Sequence, residues 1–151
     1  MVEPTVYWED LAEGQEIPSL EAPLGAAQLF QMSAVTNNTH RIHYDLPWAQ
    51  HEGYENIVIH GPFHGEVLVQ TLQRWIGPTG WLRKLQYSNR RYAVLGETLT
   101  GRGHITRLYE EDGRHCADLE VWVEKGPDQQ TAPGTATVVL PKRDVPVQIP
   151  R

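Results

Sequence analysis

The chain has 151 residues, 40% of them hydrophobic, a length that suits one domain with its own core. Its 13 basic and 19 acidic residues give a formal net charge of -6. This charge argues against nucleic acid or an anionic membrane as the main partner, because both favour a basic surface. The single cysteine, Cys116, excludes an intrachain disulfide, and no signal-peptide pattern or membrane-length apolar run is visible. We therefore expect a cytoplasmic protein.

Short helices are predicted in the first third of the chain. Residues 1–24 are rich in Glu, Pro and Gly and are predicted to form an arm laid over the body. Residues 26–36 favour a helix, and a polar segment follows at 37–43. A second short helix is predicted over 45–51, with Pro47 in its first turn, where proline is tolerated.

The clearest helix is predicted for residues 62–76. Apolar side chains recur there at helical spacing and make one wide face. Gly61 and Pro62 mark its start, and Gly77 and Pro78 mark its end. An apolar face this wide predicts a helix buried in the core.

The rest of the chain alternates apolar and polar residues with a period of two, which is typical of half-buried strands. Asp112-Gly113 is a hairpin signal between two of these segments. One buried helix against a curved antiparallel sheet is an α+β arrangement. Strands are predicted over 81–94, 98–107, 116–123 and 136–140.

Four of the seven histidines cluster in sequence, at His40, His43, His60 and His64. Any one of them could be an ordinary surface or core-edge group, since clustered titratable residues only suggest a site. The spacings His40-x-x-His43 and His60-x-x-x-His64 could each supply two metal ligands. No cysteine lies near, and Asp45 is the one obvious carboxylate beside the first pair. We predict no metal and no cofactor.

An acid/base role fits the first pair of histidines better. A histidine near neutral pKa can accept a proton from water and return it to carbon. His43 is the candidate, and Asn38 could orient a water molecule through its amide. Asp45 is predicted to cap the helix that follows.

The run Ile57-Val58-Ile59-His60-Gly61-Pro62 leads an apolar segment into the start of the long helix. Free N–H groups at a helix start could polarise a carbonyl and stabilise an enolate, and glycine lets a ligand approach the backbone. The alternative is a plain glycine at a helix start.

Together these two motifs resemble those of the MaoC-like hydratases and dehydratases, which have the hot-dog fold. That family carries Asp-x-Asn-Pro-Ile/Leu-His-x-Asp, followed by x-x-x-Ala, and later a Val-His-Gly turn. In the segment 38–49, His43 matches the catalytic histidine, and Asp45 and Ala49 match the trailing residues. Residues 58–61 resemble the Val-His-Gly turn, whose glycine amide binds the thioester oxygen.

Two positions depart from the family pattern. Asn38 stands where the family has its catalytic aspartate, and His40 stands where it has asparagine. An amide cannot act as a base. The motif Asn-x-His-Arg-Ile-His-Tyr-Asp is similar to that of one branch of the family, which includes the mitochondrial-type 3-hydroxyacyl-thioester dehydratases and the mesaconyl-CoA hydratases. The change therefore follows a branch pattern.

The resemblance spans about residues 30–140 and implies a single hot-dog domain over 1–151, an antiparallel sheet wrapped around one long central helix. It implies a lyase that reversibly hydrates a 2-enoyl thioester, or dehydrates the 3-hydroxyacyl form, carried on CoA or acyl carrier protein. His43 would move the proton, Asn38 with His40 would position water, and the Gly61 amide would hold the carbonyl oxygen. The further predicted substrate contacts are His60, Pro62, Arg41, Arg90, Arg91 and Arg102.

Two alternatives remain open. Residues 69–78 resemble small MaoC-like subunits of actinobacterial steroid side-chain degradation, which work as heteromers with a second hot-dog chain, so the chain could be a non-catalytic or site-completing subunit. A hot-dog thioesterase would need a carboxylate near Gly61, and Glu66 is the candidate. The family implies at least a dimer, either a homodimer or a heteromer with a second hot-dog chain.

Overall fold

Five antiparallel strands form one sheet in the computed structural model, which describes residues 6–149. The strand order is β1-β3-β4-β5-β2, so β3, β4 and β5 form a meander in the centre. Asp112 and Gly113 join β3 to β4 with positive φ angles of 50° and 72°, as a tight hairpin turn requires. The strands are β1 Leu20–Pro23, β2 Trp81–Tyr87, β3 Thr98–Glu111, β4 Arg114–Glu124 and β5 Gln130–Leu140.

Three α-helices accompany the sheet: α1 Ala26–Val35, α2 Leu46–His51 and α3 Gly61–Ile76. Single 3-10 turns occur at Trp8–Asp10 and Arg41–His43. The helices and the meander agree with the sequence, and the α+β prediction is confirmed. Of the helices in the described part of the chain, none is long and apolar enough to cross a bilayer.

Helix α3 is the central element of the core. Its inner face, which includes Val67, Leu68 and Leu72, is buried against strand residues such as Ile105 and Leu119. This is the wide apolar face that the sequence predicts. Pro62 occupies the first turn, where a missing N–H costs nothing, and Gly77 ends the helix with a φ of 65°. The packing fixes the amino-terminal end of α3 at one side of the sheet.

Several strand boundaries differ from the sequence analysis. In the centre of the sheet, β5 begins at Gln130 instead of residue 136, and β3 continues to Glu111 instead of ending at residue 107. Residues 20–23 lie in the predicted arm, yet they pair with β3, Leu20 opposite Gly101. Ile17, just before them, is buried in the core. Four residues that end in proline are too short a segment to show a period of two. At the other edge, β2 ends at Tyr87 instead of continuing to residue 94. Residues 1–5 of the arm lie outside the described residues.

Gly101 allows α3 to approach β3 closely. A Cβ at this position would overlap Thr71 Oγ1 and lie 3.1 Å from Val67 Cγ1. We expect Gly101→Ala to lower the free energy of unfolding by roughly 1 to 3 kcal/mol, the usual cost of overpacking a core. Urea denaturation measures this change.

The double variant Gly101→Ala/Thr71→Ala should recover part of the loss, because it removes the overlapping oxygen. Gly126→Ala is the matched control, since the nearest atom to its Cβ is Gln129 Nε2 at 3.6 Å. A Gly101→Ala protein as stable as the control would contradict the close packing.

Candidate active site

A cleft of about 290 Å³ opens at the amino-terminal end of α3. Three segments meet there: the 3-10 turn with His43, the apolar run that leads into α3, and the segment that follows β2. We call it the histidine cleft. It is lined by His43, Val58, Ile59, Gly61, His64, Asn89, Arg90, Arg91 and Tyr92.

His43 is held in the cleft by the backbone of the apolar run. Its Nδ1 lies 2.8 Å from the carbonyl oxygen of Val58. A carbonyl only accepts, so Nδ1 carries the proton and donates it, which leaves Nε2 as the free acceptor. The Val58 N–H in turn donates to Ile42 O at 2.9 Å. After the turn, Asp45 Oδ1 accepts from the Trp48 N–H at 3.2 Å, which confirms the predicted helix cap.

His43 stacks face to face on His60. Their ring centroids are 3.8 Å apart, and the planes are 15° from parallel. Burial lowers the pKa of His43 below its usual range; the bond to Val58 opposes this effect, and the nearby His40 adds to it. Nε2 of His43 is therefore an unprotonated acceptor at neutral pH.

His60 is the buried support of this stack. Only 1% of it is exposed, and its Nε2 lies 2.8 Å from Ser33 Oγ on α1. Burial, with His43 beside it, lowers the pKa of His60 to about 4. Its Nδ1 is buried without a partner among the described residues. His60 lies behind His43 and outside the cleft lining, so its predicted substrate contact is not direct in this geometry.

Gly61 presents the first N–H of α3 to the cleft. Pro62 has no N–H, and the Phe63 N–H already donates to His60 O at 3.0 Å. The Gly61 N–H has no acceptor within residues 6–149. A Cβ on Gly61 would lie 2.6 Å from Asn89 Nδ2. The glycine therefore lets the Asn89 side chain approach the backbone closely and leaves a free donor at the positive end of the helix dipole.

His64, one turn into α3, also lines the cleft and is 2% exposed. Its Nδ1 lies 2.8 Å from Thr131 Oγ1 on β5, and that hydroxyl donates to Val123 O at 3.1 Å. Because the hydroxyl hydrogen is engaged by Val123, Oγ1 accepts from the His64 Nδ1–H. Burial lowers the pKa of His64 to about 4. His64 is thus a second neutral imidazole in the same cleft.

The predicted water-positioning residues lie beside the cleft. Asn38 Oδ1 accepts from the His40 N–H at 3.1 Å, which closes a local turn. His40 is exposed, with Nε2 4.0 Å from Glu52 Oε2. Neither residue belongs to the cleft lining, and their catalytic roles stay predictions.

The predicted arginines divide into two groups. Arg90 and Arg91 are exposed and line the cleft. Arg41 pairs with Asp45 at 2.5 Å, and Arg102 pairs with Glu124 at 2.6 Å. Only the first group belongs to the cleft lining.

Two further predicted residues lie outside the cleft lining. Pro62 is exposed in the first turn of α3. Glu66, the carboxylate that a thioesterase would need, is exposed and accepts from Gln70 Nε2 at 2.9 Å. The described chain contains no group of three or more His, Cys, Asp or Glu side chains placed to hold a metal ion.

The family model for hydroxyacyl-thioester dehydratase type 2 matches residues 12–95, more than half of the chain. The chain belongs to this family. Mesaconyl-C(4)-CoA hydratase from Chloroflexus aurantiacus is 56% identical over 43 residues, 28% of this chain and 15% of that protein. The mitochondrial hydroxyacyl-thioester dehydratase type 2 of Saccharomyces cerevisiae is 34% identical over 64 residues, 42% of this chain and 22% of that protein. The matches therefore span less than a quarter of these relatives' length.

Solved structures confirm the hot-dog fold. The (R)-hydratase from A. caviae involved in PHA biosynthesis superposes with a TM-score of 0.79 at 22% identity, covering 88% of this chain and 99% of that one. The unliganded R-hydratase from Pseudomonas aeruginosa gives 0.83 at 16% identity, covering 98% and 94%. The ChsH1–ChsH2 complex from Mycobacterium tuberculosis gives 0.73 at 14% identity, covering 85% and 98%.

Sequence reasoning gave no role to two residues of this dehydratase-family cleft, His64 and Asn89. His64 shows only as a histidine three positions after Gly61. Its partner Thr131 lies 67 residues away, so no local pattern reveals the bond. Asn89 follows β2 in a segment predicted as strand, and the early end of β2 brings it to Gly61.

Burial of His60 and His64 makes stability depend on pH. Each has a folded pKa of about 4 and an ordinary pKa near 6.5, so between these values the unfolded chain binds more protons. The free energy of unfolding should therefore fall by about 2 kcal/mol for each histidine between about pH 7.5 and pH 5. Urea denaturation at both pH values measures the loss.

His64→Leu should remove one histidine's share of this loss. His104→Ala, at a partly exposed position on β3, should leave the loss unchanged. Equal losses in wild type and His64→Leu would contradict the burial of a neutral His64.

Proposed function

We propose that this chain catalyses the reversible hydration of a 2-enoyl thioester, which in the other direction is the dehydration of a 3-hydroxyacyl thioester. One observation carries the proposal: the free Nε2 of His43 and the free N–H of Gly61 meet in a single cleft. The first is a base and the second is an oxyanion donor. Membership of the hydroxyacyl-thioester dehydratase type 2 family and the hydratase and dehydratase names of the relatives support it.

The hydration steps follow from these two groups. Water attacks C3, and its O–C3 bond forms as the C2=C3 π bond breaks and electron density moves onto the thioester oxygen. The Gly61 N–H donates to that oxygen as it gains charge. His43 Nε2 accepts the proton that the water loses and then delivers it to C2. Dehydration is the reverse sequence.

The carrier is CoA or acyl carrier protein, whose phosphate groups suit Arg90 and Arg91 at the cleft. We also propose that the chain works as a pair of hot-dog chains, identical or different. The ChsH1–ChsH2 complex, a two-chain assembly of similar fold, supports pairing. The buried single thiol Cys116 is compatible with the cytoplasm that we predict as the compartment.

The decisive test is the hydration of crotonyl-CoA and of a longer or branched enoyl-CoA by wild type and His43→Ala. We expect the wild type to hydrate at least one substrate and the variant to lose at least about 100-fold in kcat, because the base is gone. Loss of absorbance at the enoyl thioester band measures the rate.

His104→Ala is the matched control, a partly exposed histidine on β3 outside the cleft, and it should keep wild-type turnover. Undiminished turnover in His43→Ala would remove His43 from the reaction. A folded wild type that is inactive alone but active after mixing with a second hot-dog chain would favour a site-completing subunit. Release of free CoA would indicate a thioesterase.

The lowered pKa of His43 predicts the pH dependence. Hydration needs the unprotonated ring, so kcat/KM should be constant above neutrality and fall at acid pH. Burial places the apparent pKa of this fall below the ordinary 6.5. Initial rates at low substrate over a pH series give the apparent pKa. A fall that begins above pH 7 would contradict the assignment, as would the same pH profile for the residual rate of His43→Ala.

A further inference from the structure

We propose that His64 holds the reacting water, or the 3-hydroxyl of the substrate in the reverse direction, opposite His43; this inference rests on the proposed hydratase function. The two imidazoles line one cleft. Each has its Nδ1 proton engaged, His43 by Val58 O and His64 by Thr131 Oγ1. The part of each ring that remains for a ligand is Nε2.

Both Nε2 atoms are open to the cleft. No hydrogen bond within residues 6–149 uses either one. The buried side-chain nitrogens and oxygens without partners in that part of the chain are His60 Nδ1 and Thr79 Oγ1 only. Because neither Nε2 is bonded or sealed from solvent, both can accept a hydrogen bond from a molecule in the cleft.

Two Nε2 acceptors in one cleft favour a ligand that carries hydrogen-bond donors. A neutral imidazole with Nδ1–H fixed accepts at Nε2 and cannot donate there. A carboxylate or a carbonyl oxygen has no hydrogen to donate and would face the lone pair of Nε2. A negatively charged or carbonyl group is therefore disfavoured at this position. Water has two O–H donors and a 3-hydroxyl has one. A water molecule can therefore donate one hydrogen to His43 and the other to His64.

His64 then has the water-positioning role that the sequence predicts for Asn38. In the reaction, the hydrogen that faces His43 leaves with the breaking O–H bond and later goes to C2. The hydrogen that faces His64 stays on oxygen and becomes the hydrogen of the 3-hydroxyl. His64 therefore gains and loses no proton; it aims the oxygen lone pair at C3.

His64→Leu and His64→Gln test the role. Leucine has a similar volume to histidine but no hydrogen-bond acceptor. The Thr131 hydroxyl still donates to Val123 O, so the fold should tolerate His64→Leu. Glutamine restores an oxygen near the position of Nε2. In crotonyl-CoA hydration we expect His64→Leu to lose about 100-fold in kcat, the scale of a misplaced reactant, with KM changed less than about threefold. His64→Gln should recover at least about tenfold of that loss.

A binding measurement separates water-holding from a structural role. In a His43→Ala background, which slows turnover by at least about 100-fold, calorimetry compares 3-hydroxybutyryl-CoA with butyryl-CoA. We expect the added His64→Leu change to weaken the hydroxylated ligand by about three- to tenfold, the usual value of one hydrogen bond, and to leave butyryl-CoA binding unchanged. His115→Leu, a buried histidine outside the cleft, is the control and should change neither binding nor turnover.

Each other outcome overturns the inference in a recognisable way. If His64→Leu keeps wild-type kcat while His43→Ala is inactive, the hydratase function stands and His64 has no part in it. If leucine and glutamine lose kcat equally, or both ligands weaken together, His64 is structural. If the wild type hydrates no enoyl thioester, the proposed function fails and the inference fails with it.

Discussion

The site depends on the hydrogen bond from the His43 Nδ1–H to the carbonyl oxygen of Val58. The two segments are bound in both directions, since the His43 side chain donates to Val58 O and the Val58 N–H donates to Ile42 O at 2.9 Å. The next residue, Ile59, donates through its N–H to Ala93 O at 2.8 Å. The polar turn and the apolar run, 15 residues apart, are thereby fixed to each other and to the segment after β2. One bond sets the tautomer of His43, its orientation and its distance from the start of α3.

The electrostatics of the cleft favour neutral bases. His43, His60 and His64 are all buried, and burial lowers the pKa of each. The face-to-face stack of the first two adds repulsion if both rings are protonated at once. The amino-terminal end of α3 adds partial positive charge, which disfavours a second cation and favours an enolate oxygen at Gly61. The end of α3 therefore both disfavours protonated imidazoles and favours negative charge on a bound ligand.

The sequence predicts what depends on local pattern. The apolar stripe of α3 and the hairpin signal at Asp112-Gly113 are each contained in a short segment, and each is found as predicted. What it misses depends on long-range contact. Strand β1 is defined by its pairing with β3, and the end of β2 by its pairing with β5, which stops at Tyr87. The bond between His64 and Thr131 spans 67 residues. The sequence could place His64 near Gly61, but not show which ring nitrogen faces the cleft.

The substitution of asparagine for the family aspartate is consistent with these neutral histidines. Asn38 Oδ1 accepts from the His40 N–H at 3.1 Å, and a carboxylate oxygen could make the same bond, so the turn itself does not require a charge. A carboxylate in this turn would instead raise the pKa of nearby histidines by stabilising their protonated forms. An amide keeps the backbone geometry and removes that effect. Asparagine therefore preserves the turn without placing a negative charge next to His40.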